Sequence, residues 1–301
     1  MTVVFSIAAY DYMADDLAQL GSFQRGKIER DMFPDGEHYL RVSSSVLDQH
    51  AVVVGGTISD AAMLELYDLG CAIVENGAAT LTLIVPWYGY ATMDRATKSG
   101  EAVIAKNRAR IFSSIPAAKL GNQILLLDLH SEGIPHYFEG SLHPVHVYGK
   151  PVILDLARRL AGRDFVLGST DAGRAKWVES LSNELGVAAA FVYKRRRGPE
   201  ETEVTAVSMK FSGETVVIYD DMIRTGGSLM NAARAYREAG AGRLIAIATH
   251  GEFAGDAFFK IRSSGLFEAV ACTDSHPRAR ELAAEGLIVR KVAELFCPFL
   301  R

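Results

Sequence analysis

Short apolar runs recur along the chain, separated by segments in which apolar positions return every three to four residues. The runs are VVFSIAA (3–9), AVVVGG (51–56), LTLIVPWYG (81–89), QILLLDLH (123–130), FVLGS (165–169), AAFVYK (189–194), TVVIYDD (215–221) and LIAIATH (244–250). Apolar on both faces and rich in β-branched residues, they read as strands buried in parallel sheets, and the intervening segments are long enough to cross over as helices. GKPVILDLARRLAG (149–162) reads as a helix opening a second series of strands, with Pro144 and Pro151 interrupting the periodicity around the join at 142–150. The pattern predicts an α/β protein of two similar, doubly wound domains with mostly parallel sheets. They are expected at residues 1–145 and 146–301, with the tail after about residue 289 packing back on the first.

Composition narrows the partners. A chain of 301 residues that is 49% hydrophobic can fill two cores, and its net charge of −4 offers no overall positive field for nucleic acid or an anionic bilayer. An anionic substrate must therefore meet local positive charge. Cys71, Cys272 and Cys297 are far apart and lack CxxC spacing, which argues against a disulfide framework or a zinc site and points to a reducing, cytoplasmic setting. The start, MTVVFSIAAYDYMADD, has no basic leader, and no apolar run approaches the roughly 18 residues of a membrane helix.

The strongest chemical signal is TVVIYDDMIRTGGSLMNAARAYREAG, a buried run ending in Asp220 and Asp221, a turn with Thr225, Gly226, Gly227 and Ser228, then an amphipathic helix. Ligands of such sheets sit beyond the carboxyl ends of the strands. Glycines admit close approach, a helix start presents N–H groups and positive dipole charge, and two hydroxyls add donors, so the turn suits a phosphate. Adjacent carboxylates accept hydrogen bonds from neighbouring sugar hydroxyls. Together they describe a ribose 5-phosphate clamp. An ordinary helix N-cap would account for the serine and one glycine, but not for the paired acids, the threonine and the second glycine together.

This segment resembles the phosphoribosyl diphosphate loop shared by type I phosphoribosyltransferases and ribose-phosphate pyrophosphokinases. The succession FPDGEHYLRV, IVPWYGYATMDRATKSGEAVIAK, LLLDLHSEGIPHYF, STDAGRAK, YKRRR, the clamp, ATHGEF and CTDS resembles the pyrophosphokinase family over nearly the whole chain. The resemblance implies phosphoribosyltransferase-like domains and transfer of the diphosphoryl group of ATP to ribose 5-phosphate, with Mg²⁺ as cofactor and a homo-oligomer, dimer or hexamer, as the working unit. It implies that Phe33, Asp35 and Glu37 form an adenine loop completing a neighbouring subunit's site, and that Asp94, Arg95 and His130 serve ATP. His130 and Asp171 would be metal ligands, and Asp171, Ala172, Gly173 and Arg174 would hold the product's diphosphate.

By itself, a His after a strand is more often a hydrogen-bonded structural residue than a metal ligand. Lys194 to Arg197 form a basic run before Gly198 and Pro199 that reads as an exposed mobile loop, or as a solvated face. The resemblance makes it the family's catalytic loop, with Lys194 and Arg196 steadying the transferring group. Two departures stand out: Thr92 and Met93 replace the family's Arg-Gln, and Arg224 replaces an Asp common in the clamp. Arg224 reads as tuning, while Thr92 and Met93 leave open a catalytically weak regulatory homologue, with a phosphoribosyltransferase as a further reading that would need a base-specific hood. The sequence carries no GxxxxGK[ST], GxGxxG after a strand, or GxSxG.

Overall fold

The structure, a computed structural model, describes residues 1–171, 173, 175–196 and 202–300, with the backbone alone for 194–196 and 202–205. It divides into two units, one of residues 1–148 with the tail from Val292 onward, the other of residues 149–291.

In the first unit the chain runs β1 (Thr2–Ser6), α1 (Asp11–Gly21), β2 (Gln24–Arg25), β3 (Ile28–Met32), β4 (His38–Val42), β5 (His50–Val54), α2 (Asp60–Glu75), β6 (Thr80–Val85), α3 (Ile104–Ser113), β7 (Asn122–Leu127) and β8 (Leu142–Val147). Among the described residues these build a parallel sheet ordered β2-β1-β5-β6-β7-β8 and an antiparallel hairpin of β3 and β4. Helix α2 shows the local logic. Ser59 caps it by accepting the Ala62 N–H at 3.1 Å, and Met63, Leu66, Leu69, Gly70 and Ile73 recur at helical spacing to bury one face. Two one-turn helices of the tail, Ala293–Leu295 and Cys297–Phe299, pack against α1, where Phe296 is fully buried.

The second unit comprises α4 (Lys150–Ala161), β9 (Val166–Ser169), α5 (Ala175–Leu185), β10 (Ala188–Ala190), β11 (Val192–Arg196), β12 (Thr202–Val207), β13 (Val216–Ile223), α6 (Gly227–Glu238), β14 (Leu244–Gly251), α7 (Ala257–Ser263), β15 (Ala269–Thr273), α8 (Pro277–Ala283) and β16 (Ile288–Arg290). Its parallel sheet is ordered β10-β9-β13-β14-β15-β16, with β11 and β12 as a separate antiparallel ribbon. Val166, Ile218, Tyr236, Leu244 and Phe258 belong to its core. In each sheet the strand order reverses once, between β1 and β5 and between β9 and β13, which is where a doubly wound sheet opens a crevice for a ligand.

Three expectations are corrected. The run AAFVYK is not one strand: β10 stops at Ala190, and Val192 opens the ribbon, because the buried stretch ends at Val192 and Tyr193 is already 49% exposed. The backbone of Lys194, Arg195 and Arg196 is therefore strand, paired with β12, where a mobile loop was expected; a ribbon outside the sheet accepts a charged sequence that a buried strand would exclude. Pro144 does not break the pattern, since it lies opposite Ile124 on β8, the last strand of its sheet, where a missing N–H costs no ladder bond.

Candidate active site

In the second unit, β13 carries Asp220 and Asp221 past the point where sequence suggested it would end, as far as Ile223. Asp221 is 4% exposed. Asp220 accepts hydrogen bonds from Thr170 Oγ1 to Oδ2 at 2.8 Å and from the Asp221 N–H to Oδ1 at 3.0 Å, and its carboxyl also meets the Asp221 side chain. Burial, followed by the negative charge of Asp221, holds the Asp220 carboxyl well above the ordinary carboxylate range, and the Thr170 hydroxyl pulls the other way. Thr170 opens the turn after β9, so the contact spans the switch between β9 and β13.

After the acids the chain turns through Arg224 and Thr225 into Gly226, whose φ of 76° makes it the left-handed N-cap of α6. No side chain caps α6, so its first-turn N–H groups are available to an anion, and Thr225 and Ser228 are exposed beside them. Arg224 Nε lies 3.7 Å from Glu252, whose carboxyl is pushed up by burial and drawn down by that guanidinium. Asp171 follows Thr170 and accepts the Gly173 N–H at 2.9 Å in the turn before α5. Ala172 and Arg174 lie outside the described residues, as do the side chains of Lys194 and Arg196.

The equivalent crevice of the first unit is filled. Beyond β5, a Cβ on Gly56 would lie 2.1 Å from the hydroxyl of Tyr10, a fully buried ring supplied by the turn after β1. The candidate residues of this unit sit instead beyond β6 and β7 and on the hairpin. Asp94 is 7% exposed and takes Arg95 Nη2 at 2.6 Å, while Tyr137 donates to its backbone oxygen at 2.5 Å. The Arg95 contact, opposed by desolvation and helped by Ser131, holds the Asp94 carboxyl below its usual range.

His130 is exposed in the turn after β7. That turn is pinned to β8, since the Asp128 N–H donates to Val147 O at 2.9 Å and the Leu129 N–H to His146 Nε2 at 3.0 Å. Phe33, Asp35 and Glu37 lie at the tip of the β3–β4 hairpin, closed by the Phe33 N–H to Glu37 O at 2.8 Å, with Phe33 51% exposed and edge-on to Tyr39. Among the described residues no group of three or more His, Cys, Asp or Glu side chains could hold a metal ion, and no helix is long and apolar enough to cross a membrane.

The pattern of the N-terminal domain of ribose phosphate pyrophosphokinase matches residues 2–115, and that of the phosphoribosyl transferase domain matches residues 157–256. A ribose-phosphate pyrophosphokinase of Synechococcus elongatus is 32% identical over 97% of this chain and 87% of its own length. The chain belongs to the ribose-phosphate pyrophosphokinase family. The ribose-phosphate pyrophosphokinase of Gloeobacter violaceus is 34% identical with the same coverage of both chains. The phosphoribosylpyrophosphate synthetase of Mycobacterium smegmatis superposes with a TM-score of 0.86 and 26% identity, covering 100% of this chain and 97% of that one.

Within this pyrophosphokinase family member, Thr92 and Met93 are both exposed, Met93 at 42%. Sequence reasoning passed over Thr170, Ser131 and Tyr137. Each is one polar residue with no spacing pattern, and each owes its contact to the pairing of strands distant in sequence.

Proposed function

We propose that this chain is a ribose-phosphate diphosphokinase, transferring the β,γ-diphosphoryl group of ATP to O1 of ribose 5-phosphate to give 5-phosphoribosyl 1-diphosphate and AMP. The observation that carries the reading is the pair Asp220–Asp221 directly ahead of the uncapped start of α6, at the point where the strand order reverses. Asp220 and Asp221 accept hydrogen bonds from adjacent ribose hydroxyls, while the α6 N–H groups, Thr225 and Ser228 hold the 5-phosphate. Asp171 and Gly173, with Ala172 and Arg174, are assigned to the diphosphate of the product. In the first unit, Asp94 and the Arg95 that it fixes, together with His130, are assigned to ATP, and Phe33 to adenine as an apolar surface.

In the transfer, O1 bonds to the β-phosphorus as the bridge to the α-phosphate breaks; AMP departs with the bridging oxygen and the O1 proton passes to solvent. Lys194 and Arg196 offset the charge spreading over the equatorial oxygens. The Asp171 carboxylate and the His130 imidazole are each assigned as a Mg²⁺ ligand, since either group suits such an ion when phosphates and water complete its shell. That ion supplies charge neutralisation on the phosphates. The exposed Met32, Phe33 and Tyr39 of the hairpin favour a homo-oligomer, in which a second copy covers them. Free thiols at Cys71, Cys272 and Cys297 fit the cytoplasm.

Thr92 and Met93 favour one second reading, a homologue that binds nucleotide without turnover. Incubating the purified protein with ribose 5-phosphate, ATP and Mg²⁺ separates the two. AMP appearing in step with 5-phosphoribosyl 1-diphosphate is expected; nucleotide binding with no AMP would leave the regulatory reading.

A further inference from the structure

The Asp220 carboxylate is held by two donors of different kinds. One is the backbone N–H of Asp221, which comes with the strand. The other, the hydroxyl of Thr170, is a side-chain choice: Thr170 is fully buried, and its Oγ1 reaches 2.8 Å from Asp220 Oδ2 across the join between β9 and β13. Its neighbour Ser169 is equally buried, and the backbone oxygen of Ser169 takes the hydroxyl of Tyr236 at 2.9 Å, so the end of β9 is fixed against α6. Thr170 is thus a rigidly mounted donor.

A carboxylate offers about four lone-pair sites, and the Thr170 hydroxyl, the Asp221 N–H and the Asp221 side chain engage only part of them. Where those remaining sites point depends on rotation about the bond joining the carboxylate to Cβ. The Asp221 N–H engages Oδ1 at 3.0 Å. The Thr170 bond to Oδ2 supplies the second fixed point, and two points define the plane of the group. A carboxylate held in one plane meets a pair of sugar hydroxyls without losing rotational freedom on binding.

We propose that Thr170 is a positioning residue for the sugar: its hydroxyl sets the plane of the Asp220 carboxylate so that this acid accepts hydrogen bonds from the ribose hydroxyls of ribose 5-phosphate. The inference rests on the assignment of the clamp to ribose 5-phosphate. Thr170 touches no substrate and acts through Asp220, so its loss weakens sugar binding without slowing the chemical step.

The test compares Thr170→Val, which keeps the shape and removes the donor, with Thr170→Ser, which keeps the donor. A hydrogen bond to a charged group is worth enough that Thr170→Val should raise KM for ribose 5-phosphate about ten- to hundredfold, with kcat and KM for ATP within about threefold of wild type. Thr170→Ser should stay within about threefold throughout. An unchanged KM for the sugar in Thr170→Val, a parallel rise in both KM values, or equal impairment in Thr170→Ser would overturn the proposal.

Should Thr170→Val not fold, Thr170→Cys, with its weak thiol donor, takes its place with the same expected split. If the wild type turns over no ATP, the functional reading fails separately, and calorimetric titration of ribose 5-phosphate into wild type and variant decides the positioning role. Equal affinities there would refute it.

Discussion

Trp177 Nε1 donates a hydrogen bond to the hydroxyl of Tyr219 at 3.1 Å, tying α5 to the strand residue immediately before Asp220. Tyr219 is 1% exposed, and its hydroxyl also lies 3.0 Å from Thr249 Oγ1 on β14. The chain of contacts continues, for the Thr249 backbone oxygen accepts from Thr273 Oγ1 at 2.6 Å and from Ser275 Oγ at 3.3 Å, and Ser275 meets His250 Nδ1 at 2.8 Å. A buried polar network therefore crosses β13, β14 and β15 beneath the clamp. Satisfied networks of this kind fix one arrangement of their members, because each group left unmatched in a low-dielectric interior is costly.

Tyr219→Phe removes both contacts of that hydroxyl at once. The expected loss is about 1–3 kcal/mol of stability, read as a lower urea midpoint at unchanged m-value. Turnover should be kept in the folded fraction, since the Thr170 and Asp221 donors to Asp220 remain. A variant as stable as wild type would show that the hydroxyl network adds nothing to the fold.

Gly226→Ala meets two obstacles together, a φ of 76° and a Cβ that would fall 2.6 Å from Ile261 Cδ1. Gly255 has a similar φ of 60° with nothing within 4 Å of its Cβ, so Gly255→Ala isolates the conformational cost. We expect about 1 kcal/mol for Gly255→Ala and about 2–4 kcal/mol for Gly226→Ala, because the added clash displaces the start of α6. KM for ribose 5-phosphate should rise in Gly226→Ala and stay flat in Gly255→Ala. Equal losses in the two variants would mean that Ile261 yields freely.

The sheets were legible because their strands are apolar on both faces, as VVVGG and LIAIATH show, and the clamp because paired acids and paired glycines stand at fixed offsets around one turn. The hairpin of β3 and β4 escaped the hydrophobic pattern, since every position from Ile28 to Met32 and from His38 to Val42 is at least partly exposed. Its turn, FPDGE, held the available signal, with Gly36 at a φ of 91°. Thr170 was invisible for a different reason. Its significance lies in a contact with Asp220, and sequence does not show which strands become neighbours.

Thr92→Arg should lower KM for ATP by up to about ten- to hundredfold while KM for ribose 5-phosphate stays unchanged, because a guanidinium reaching a phosphate adds a charge-assisted contact. The exposure of Thr92 gives the larger side chain room, and Met93 at 42% exposure is not a packing residue whose replacement opens a cavity. Met93→Gln should accordingly shift stability by less than about 0.5 kcal/mol. An unchanged KM for ATP in Thr92→Arg would show that this position does not face the nucleotide.

His276 gives the second unit a built-in sensitivity to acid. Its Nδ1 accepts the Arg278 N–H at 3.1 Å and so caps α8, a role open to the imidazole while that nitrogen carries no proton. Burial, and then the neighbouring His250 and Arg278, push its pKa down from 6.5 to about 4, against the pull of Glu281. The sign follows from proton binding. Between about pH 6.5 and about pH 4 the unfolded chain binds this proton and the folded protein does not, so stability falls as the solution is acidified through that window. At about 1.4 kcal/mol per pH unit, the contribution lost reaches at most about 3.5 kcal/mol. His276→Asn retains a capping acceptor and removes the titration. Urea unfolding at about pH 7.5 should place the variant within about 1 kcal/mol of wild type, and at about pH 5 the variant should be the more stable of the two. Parallel losses in both proteins on acidification would assign the acid sensitivity to other groups.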